Sequence, residues 1–88
     1  MDMIDAFKSA IQAKSDIRFR DVIRFAEQFV PKEYYGTEAW KYFHREGFSD
    51  DRGRRPITED AAIMCYLVAY GQMHQSKLKI AFNAMRGK

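Results

Sequence analysis

The sequence predicts an all-α fold, a small compact bundle of four or five short helices. Three features predict it. Apolar residues recur at spacings of three and four in each longer segment, which places them on one helical face. Ser15, Thr37 and Thr58 stand where helix caps belong. One run, AAIMCYLVAY at 61–70, is apolar or aromatic at every position.

Residues 2–14 read as the first helix. Ile4, Phe7, Ala10 and Ile11 share a face, and Asp2 and Asp5 lie at the amino end, where the helix dipole favours negative charge. Residues 17–30, IRFRDVIRFAEQFV, give the second. Phe19, Val22, Ile23, Ala26, Phe29 and Val30 form its stripe, with Phe25 alongside. Its first residues alternate apolar and polar, so IRFR also suits an extended segment with Asp21 as cap. Pro31 ends it, because the residue before a proline is driven out of the helical region.

A turn over 31–36 leads to Thr37 as the cap of a third helix, with Ala39, Trp40 and Phe43 facing inward. Gly47 is expected to stop that helix by taking the left-handed conformation, with Phe48 folding back onto its end. The next helix begins after Thr58. It runs over about 59–70 and, being apolar all round, is expected to be the central one, covered on several sides. Beyond Gly71, His74, Leu78, Ala81, Phe82 and Met85 fall on one face. Either one long helix passes through the glycine or the chain bends at 71–75 into a fifth helix. A glycine inside a helix costs about 1 kcal/mol relative to alanine.

The length of 88 residues suits one helical domain, 1–88, with one modest core. Thirteen aromatic residues (seven Phe, five Tyr, one Trp) argue against disorder. They also leave room for an aromatic interface, such as a homodimer would use. The net charge of +3 leans weakly toward nucleic acid or an acidic protein partner. A single cysteine excludes an internal disulfide and suits a reducing compartment. No apolar run approaches the length needed to span a membrane, and the start MDMIDAFKSA carries acids where a secretion signal carries bases. A cytoplasmic location is the expectation.

The charge is concentrated in a loop at 48–57. In DDRGRRPITED, residues 50–60, Arg52, Arg54 and Arg55 stand between Asp50, Asp51, Glu59 and Asp60. The arginines have the paired donors to grip phosphate or carboxylate. The acids outnumber them, so the loop reads either as self-paired or as a partner-binding element of mixed charge. Lys77, Lys79 and Arg86 have no acid near them in sequence, and Arg20 and Arg24 add a second basic cluster. These are the candidate contacts for nucleic acid, although no finger, glycine-rich clamp or paired strand aromatics accompany them. Tyr34 and Tyr35, on the turn before Gly36, are candidates for partner contact or for roofing the core, as are Tyr66 and Tyr70, four apart on the central helix.

No catalytic group, cofactor or metal site is predicted. His44 and His74 lack partners at metal-ligand spacing, His74 lies on the apolar stripe as a structural histidine, and Cys65 reads as a buried small residue. A dyad of Cys65 with His74 would require the bend at Gly71. The expected function is a small non-enzymatic module that binds a larger protein. The alternative is a helical module that binds nucleic acid.

Overall fold

The computed structural model describes residues 2–85. Among them are five α-helices: α1 (Met3–Gln12), α2 (Phe19–Phe29), α3 (Glu38–Gly47), α4 (Glu59–Ala69) and α5 (Leu78–Asn83). Two short 3₁₀ turns, Lys32–Tyr34 and Gln75–Lys77, precede α3 and α5. No strand occurs among the described residues. A single antiparallel bridge pairs Arg18 with Pro56.

The helices begin where side chains satisfy their free amides. Asp2 accepts from the Ile4 amide at 3.1 Å, Thr37 from Trp40 at 3.2 Å and Thr58 from Ala61 at 3.2 Å. The start of α2 is different. Ser15 does not cap it. Arg18 is extended, and Asp21, inside the first turn, reaches back to the Arg18 amide, which donates to it at 3.0 Å. At the other end of α2, Val30 is extended ahead of Pro31 and the helix stops.

α4 packs against each of the other four helices. Ala61, Ala62, Cys65, Tyr66, Val68 and Ala69 are buried, and Ile63, Met64 and Leu67 are partly so. Its alanines let neighbours approach, and Tyr66 fills the space between them. The Tyr66 ring lies flat on Phe7 of α1 at 4.0 Å, and its hydroxyl donates to the Phe29 carbonyl at the end of α2 at 3.1 Å. That bond allows a phenol to sit at zero exposure without leaving a polar atom unpaired. From α3, Trp40 and Phe43 enter the core together, and Phe43 meets Phe19 edge to face at 6.1 Å.

Two glycines have jobs other than the expected ones. Gly47 does not take a left-handed conformation. It is the last residue of α3 and is buried, and a side chain there would overlap Ile23 of α2. It permits close helix packing rather than a turn. Phe48 does fold back, its ring 5.0 Å from that of His44, yet it stays substantially exposed. The left-handed position is Gly71, with φ of +82°. The chain bends there, so α4 and α5 are separate helices. A side chain at 71 would also meet the Tyr34 ring at 2.7 Å. The bend moves His74 off the apolar face. It is exposed, and its Nδ1 accepts from the Ser76 amide at 3.1 Å, starting the second 3₁₀ turn.

Gly53 is buried in the charged loop, and a Cβ there would overlap the carbonyl oxygens of Gly47 and Ser49. Backbone cannot rotate away as a side chain tip can. Gly53→Ala is therefore expected to cost about 1–3 kcal/mol, the range for forced overpacking. In a chain of this size the melting midpoint falls by roughly 4–8 °C per kcal/mol. An unchanged midpoint in calorimetry would show that the loop relaxes freely.

Candidate functional site: a basic groove beside the charged loop

The loop between α3 and α4 is held by its backbone. The Phe19 amide donates to the Arg55 carbonyl at 3.0 Å, the Arg20 amide to Gly53 at 2.9 Å, and the Arg18 guanidinium to Arg54 at 2.9 Å. In the reverse direction across the same bridge, the Ile57 amide donates to the Ile17 carbonyl at 2.9 Å. The Arg20 guanidinium spans the loop entrance, donating to the Gly47 carbonyl at 3.0 Å and the Ser49 carbonyl at 2.9 Å. Ser49 in turn accepts from the amides of Arg52 and Gly53. The extended start of α2 and the loop thus form one hydrogen-bonded unit.

The loop arginines diverge from this frame. Arg54 pairs with Asp50 at 3.6 Å, in water on both sides, and Arg55 with Asp51 at 2.9 Å. Ion pairs this exposed contribute about 0–1 kcal/mol. Arg52 turns inward. Its guanidinium donates to Glu46 at 2.9 Å and to the Tyr42 hydroxyl at 3.1 Å, and lies over the Phe82 ring at 4.4 Å. It ties the loop to α3 and α5. The three arginines that the sequence groups together therefore occupy different settings.

Arg52 forms one wall of a groove of about 740 Å³ between α3 and the segment 74–83. Lys41, Tyr42 and Arg45 line it from α3, Lys79 and Phe82 from α5. Glu46 pairs with both Arg45, at 3.8 Å, and Arg52. Lys41 and Lys79 have no ion pair among the described residues. Four cations thus meet two carboxylates, Glu38 in the lining and Glu46 through its pairs with Arg45 and Arg52. The volume lies within the range of about 300–1,000 Å³ usual for ligand sites. A comparison with protein-family models, curated proteins and solved structures found no match to this chain.

The remaining candidate residues are distributed elsewhere. Lys77 is exposed on the second 3₁₀ turn, and Arg86 lies outside the described residues. Arg20 and Arg24 lie with Arg18 and Arg54 around a smaller cleft of about 400 Å³, where Asp21 also sits. Arg20 and Arg24 both approach the Phe48 ring, at 5.8 and 5.9 Å. Tyr35 stacks on Trp40 at 4.5 Å and donates to the Glu27 carbonyl, while Tyr34 stacks on Tyr70 at 5.7 Å. Both are half-buried parts of the roof of the core.

Cys65 and His74 do not form a pair, since the thiol is buried in α4 and the imidazole is exposed beyond the bend. Among the described residues no three of His, Cys, Asp and Glu gather at metal-binding distance. The sequence reading missed the α3 face of the groove. Its signal was Lys41 and Arg45 at a spacing of four, like charges that gain nothing from each other on a helix.

Two measurements test this description. Arg20→Met removes two charge-assisted bonds and should cost about 1.5–3 kcal/mol in urea unfolding, whereas Arg24→Met should change stability by no more than about 0.5 kcal/mol. Equal effects would mean that Arg20 is not the brace. Burial also pushes the Cys65 thiol from 9.0 up to about 12. The Tyr66 phenol rises from 10.0 to about 12, through burial first and then the charges of Tyr70 and Asp2. Both groups hold their protons more tightly folded than unfolded. Their contribution is complete below the unfolded values and is lost as pH climbs through about 9–12. Thiol labelling should be silent in the native protein at about pH 8, and the melting midpoint should fall steadily above about pH 9–10. Rapid native-state labelling would place Cys65 near the surface.

Proposed function

We propose that this chain is a non-enzymatic interaction module that takes an acidic segment of a protein partner into the groove between α3 and α5. The observation that carries the reading is the groove's charge. Lys41 and Lys79 face it without carboxylate partners among the described residues, beside Arg45 and Arg52, which share Glu46. A carboxylate-rich segment would gain paired partners there, and complementary charge of this kind sets register and on-rate.

Protein is favoured over nucleic acid because of the aromatic rings. Stacking on open ring faces supplies much of single-strand affinity. The groove rings are already engaged, Phe82 by the Arg52 guanidinium and Tyr42 by Arg45 at 5.3 Å. Nor do the cations continue as a track suited to a phosphate backbone. Arg18 and Arg20 spend their donors on loop carbonyls and Asp16, and Arg54 faces Asp50.

The test is a polarisation titration of a labelled glutamate-rich peptide, with a labelled single strand and a labelled duplex run in parallel. Lys41→Glu combined with Lys79→Glu should weaken peptide binding by at least about tenfold, or ~1.4 kcal/mol. Arg24→Glu combined with Arg54→Glu should leave it nearly unchanged. Salt-steep binding to either nucleic acid, lost in the Lys41/Lys79 variant, would replace the protein reading with the nucleic-acid one.

A further inference from the structure

The groove has an apolar extension. A second cleft, of about 340 Å³, is lined by Tyr34, Ala39, Val68, Ala69, Gly71 and Met73. It shares Glu38, His74 and Gln75 with the basic groove, so the two adjoin at the amino-terminal end of α3. Their chemistry differs. The first is walled by lysines and arginines, whereas no lysine or arginine lines the second.

The local backbone explains the cleft. Gly71 carries no side chain and turns the chain away from α4 in the left-handed conformation, and the cleft opens beside that turn, over Val68 and Ala69, which are themselves almost fully buried. Tyr34 covers part of it, stacked on Tyr70. Met73 lines the cleft with 38% of its surface exposed, as few large apolar side chains are among the described residues. A thioether on an unbranched chain adapts its shape to an incoming group.

We propose that the bound segment carries one large apolar side chain at one end of its acidic run, and that this side chain seats in the cleft between Tyr34, Ala39 and Met73 while the acids meet Lys41, Arg45 and Lys79. This rests on the acidic-segment reading and adds a polarity to it. The acids draw the segment in, and the apolar anchor determines which end lies toward Gly71. The longest dimension of the molecule is 32 Å. An extended segment of roughly nine residues spans that distance, so short synthetic peptides suffice as probes.

The experiment uses the full chain and three labelled peptides of glutamate and serine: one without an apolar residue, one with leucine at the amino end, and one with leucine at the carboxyl end. One of the two leucine peptides should bind about 10–100-fold tighter than the leucine-free peptide, the gain expected from burying that side chain. The other should not. In nuclear magnetic resonance titrations the leucine-free peptide should shift Lys41, Arg45 and Lys79, and the tighter peptide should shift Ala39, Gly71 and Met73 as well. Met73→Gln, at an exposed position, should reduce the leucine gain and leave leucine-free binding intact. Equal affinities for all three peptides would overturn the anchor and leave the acidic-segment reading standing. A leucine gain with no shift at Ala39, Gly71 or Met73 would overturn this cleft as its seat. Absence of binding by every peptide would overturn both.

Discussion

α4 has no face that can be left in water. From Ala61 to Ala69 every position is apolar or aromatic, and exposing any side of such a helix forfeits roughly 25 cal/mol for each Å² of apolar surface. The other four helices are arranged by that requirement. α1 supplies Phe7 against Tyr66, α2 supplies Val22, Ile23 and Ala26, α3 supplies Trp40 and Phe43, and α5 brings Leu78 and Ala81. The groove and its apolar extension follow from the same requirement. α3 and α5 both turn inward to cover α4, and their outer flanks, which carry Lys41, Arg45 and Lys79, are left facing each other across a gap.

Arginine serves two opposed purposes in this molecule. At Arg20 and Arg52 the guanidinium is a structural tie, using its fixed fork of donors on carbonyls, a carboxylate and a ring face. At Arg54 it is a solvated charge in a weak pair. The difference comes from position. Arg20 lies at the entrance of the loop, where carbonyls converge, and Arg54 lies at the tip. A lysine in place of Arg20 or Arg52 would keep the charge and lose the geometry.

The helical class, the central place of α4 and the caps at Thr37 and Thr58 were legible in the sequence, because each rests on local chemistry or on a strong periodicity. The break at Gly71 was legible only as one of two choices. Neighbouring residues do not reveal whether tertiary contacts will reward a bend, and here the Tyr34 ring takes up the space beside the glycine. Gly47 misled for a similar reason. A glycine near a helix end has the same local appearance whether it turns the chain or makes room for Ile23. The groove was hidden because its walls are about forty residues apart in sequence and no pattern within either wall announces the other. The loop arginines looked like one cluster because they are adjacent in the chain, and only the fold separates Arg52 from Arg54 and Arg55.

The manner in which the charged loop is fastened has a consequence for how such a surface can change. Apart from the Arg52 side chain and the Ile57 amide, its attachments use peptide carbonyls at 47, 49, 53, 54 and 55, which every amino acid possesses. Shape is therefore set by Arg18, Arg20, Ser49, Arg52 and Gly53, and not by what Asp50, Asp51 and Arg54 display outward. Those three positions point outward from a support that does not depend on their side chains. Drift in their charge could alter what the loop attracts or repels while the chain still folds, so this part of the molecule can acquire new surface properties without first losing its architecture.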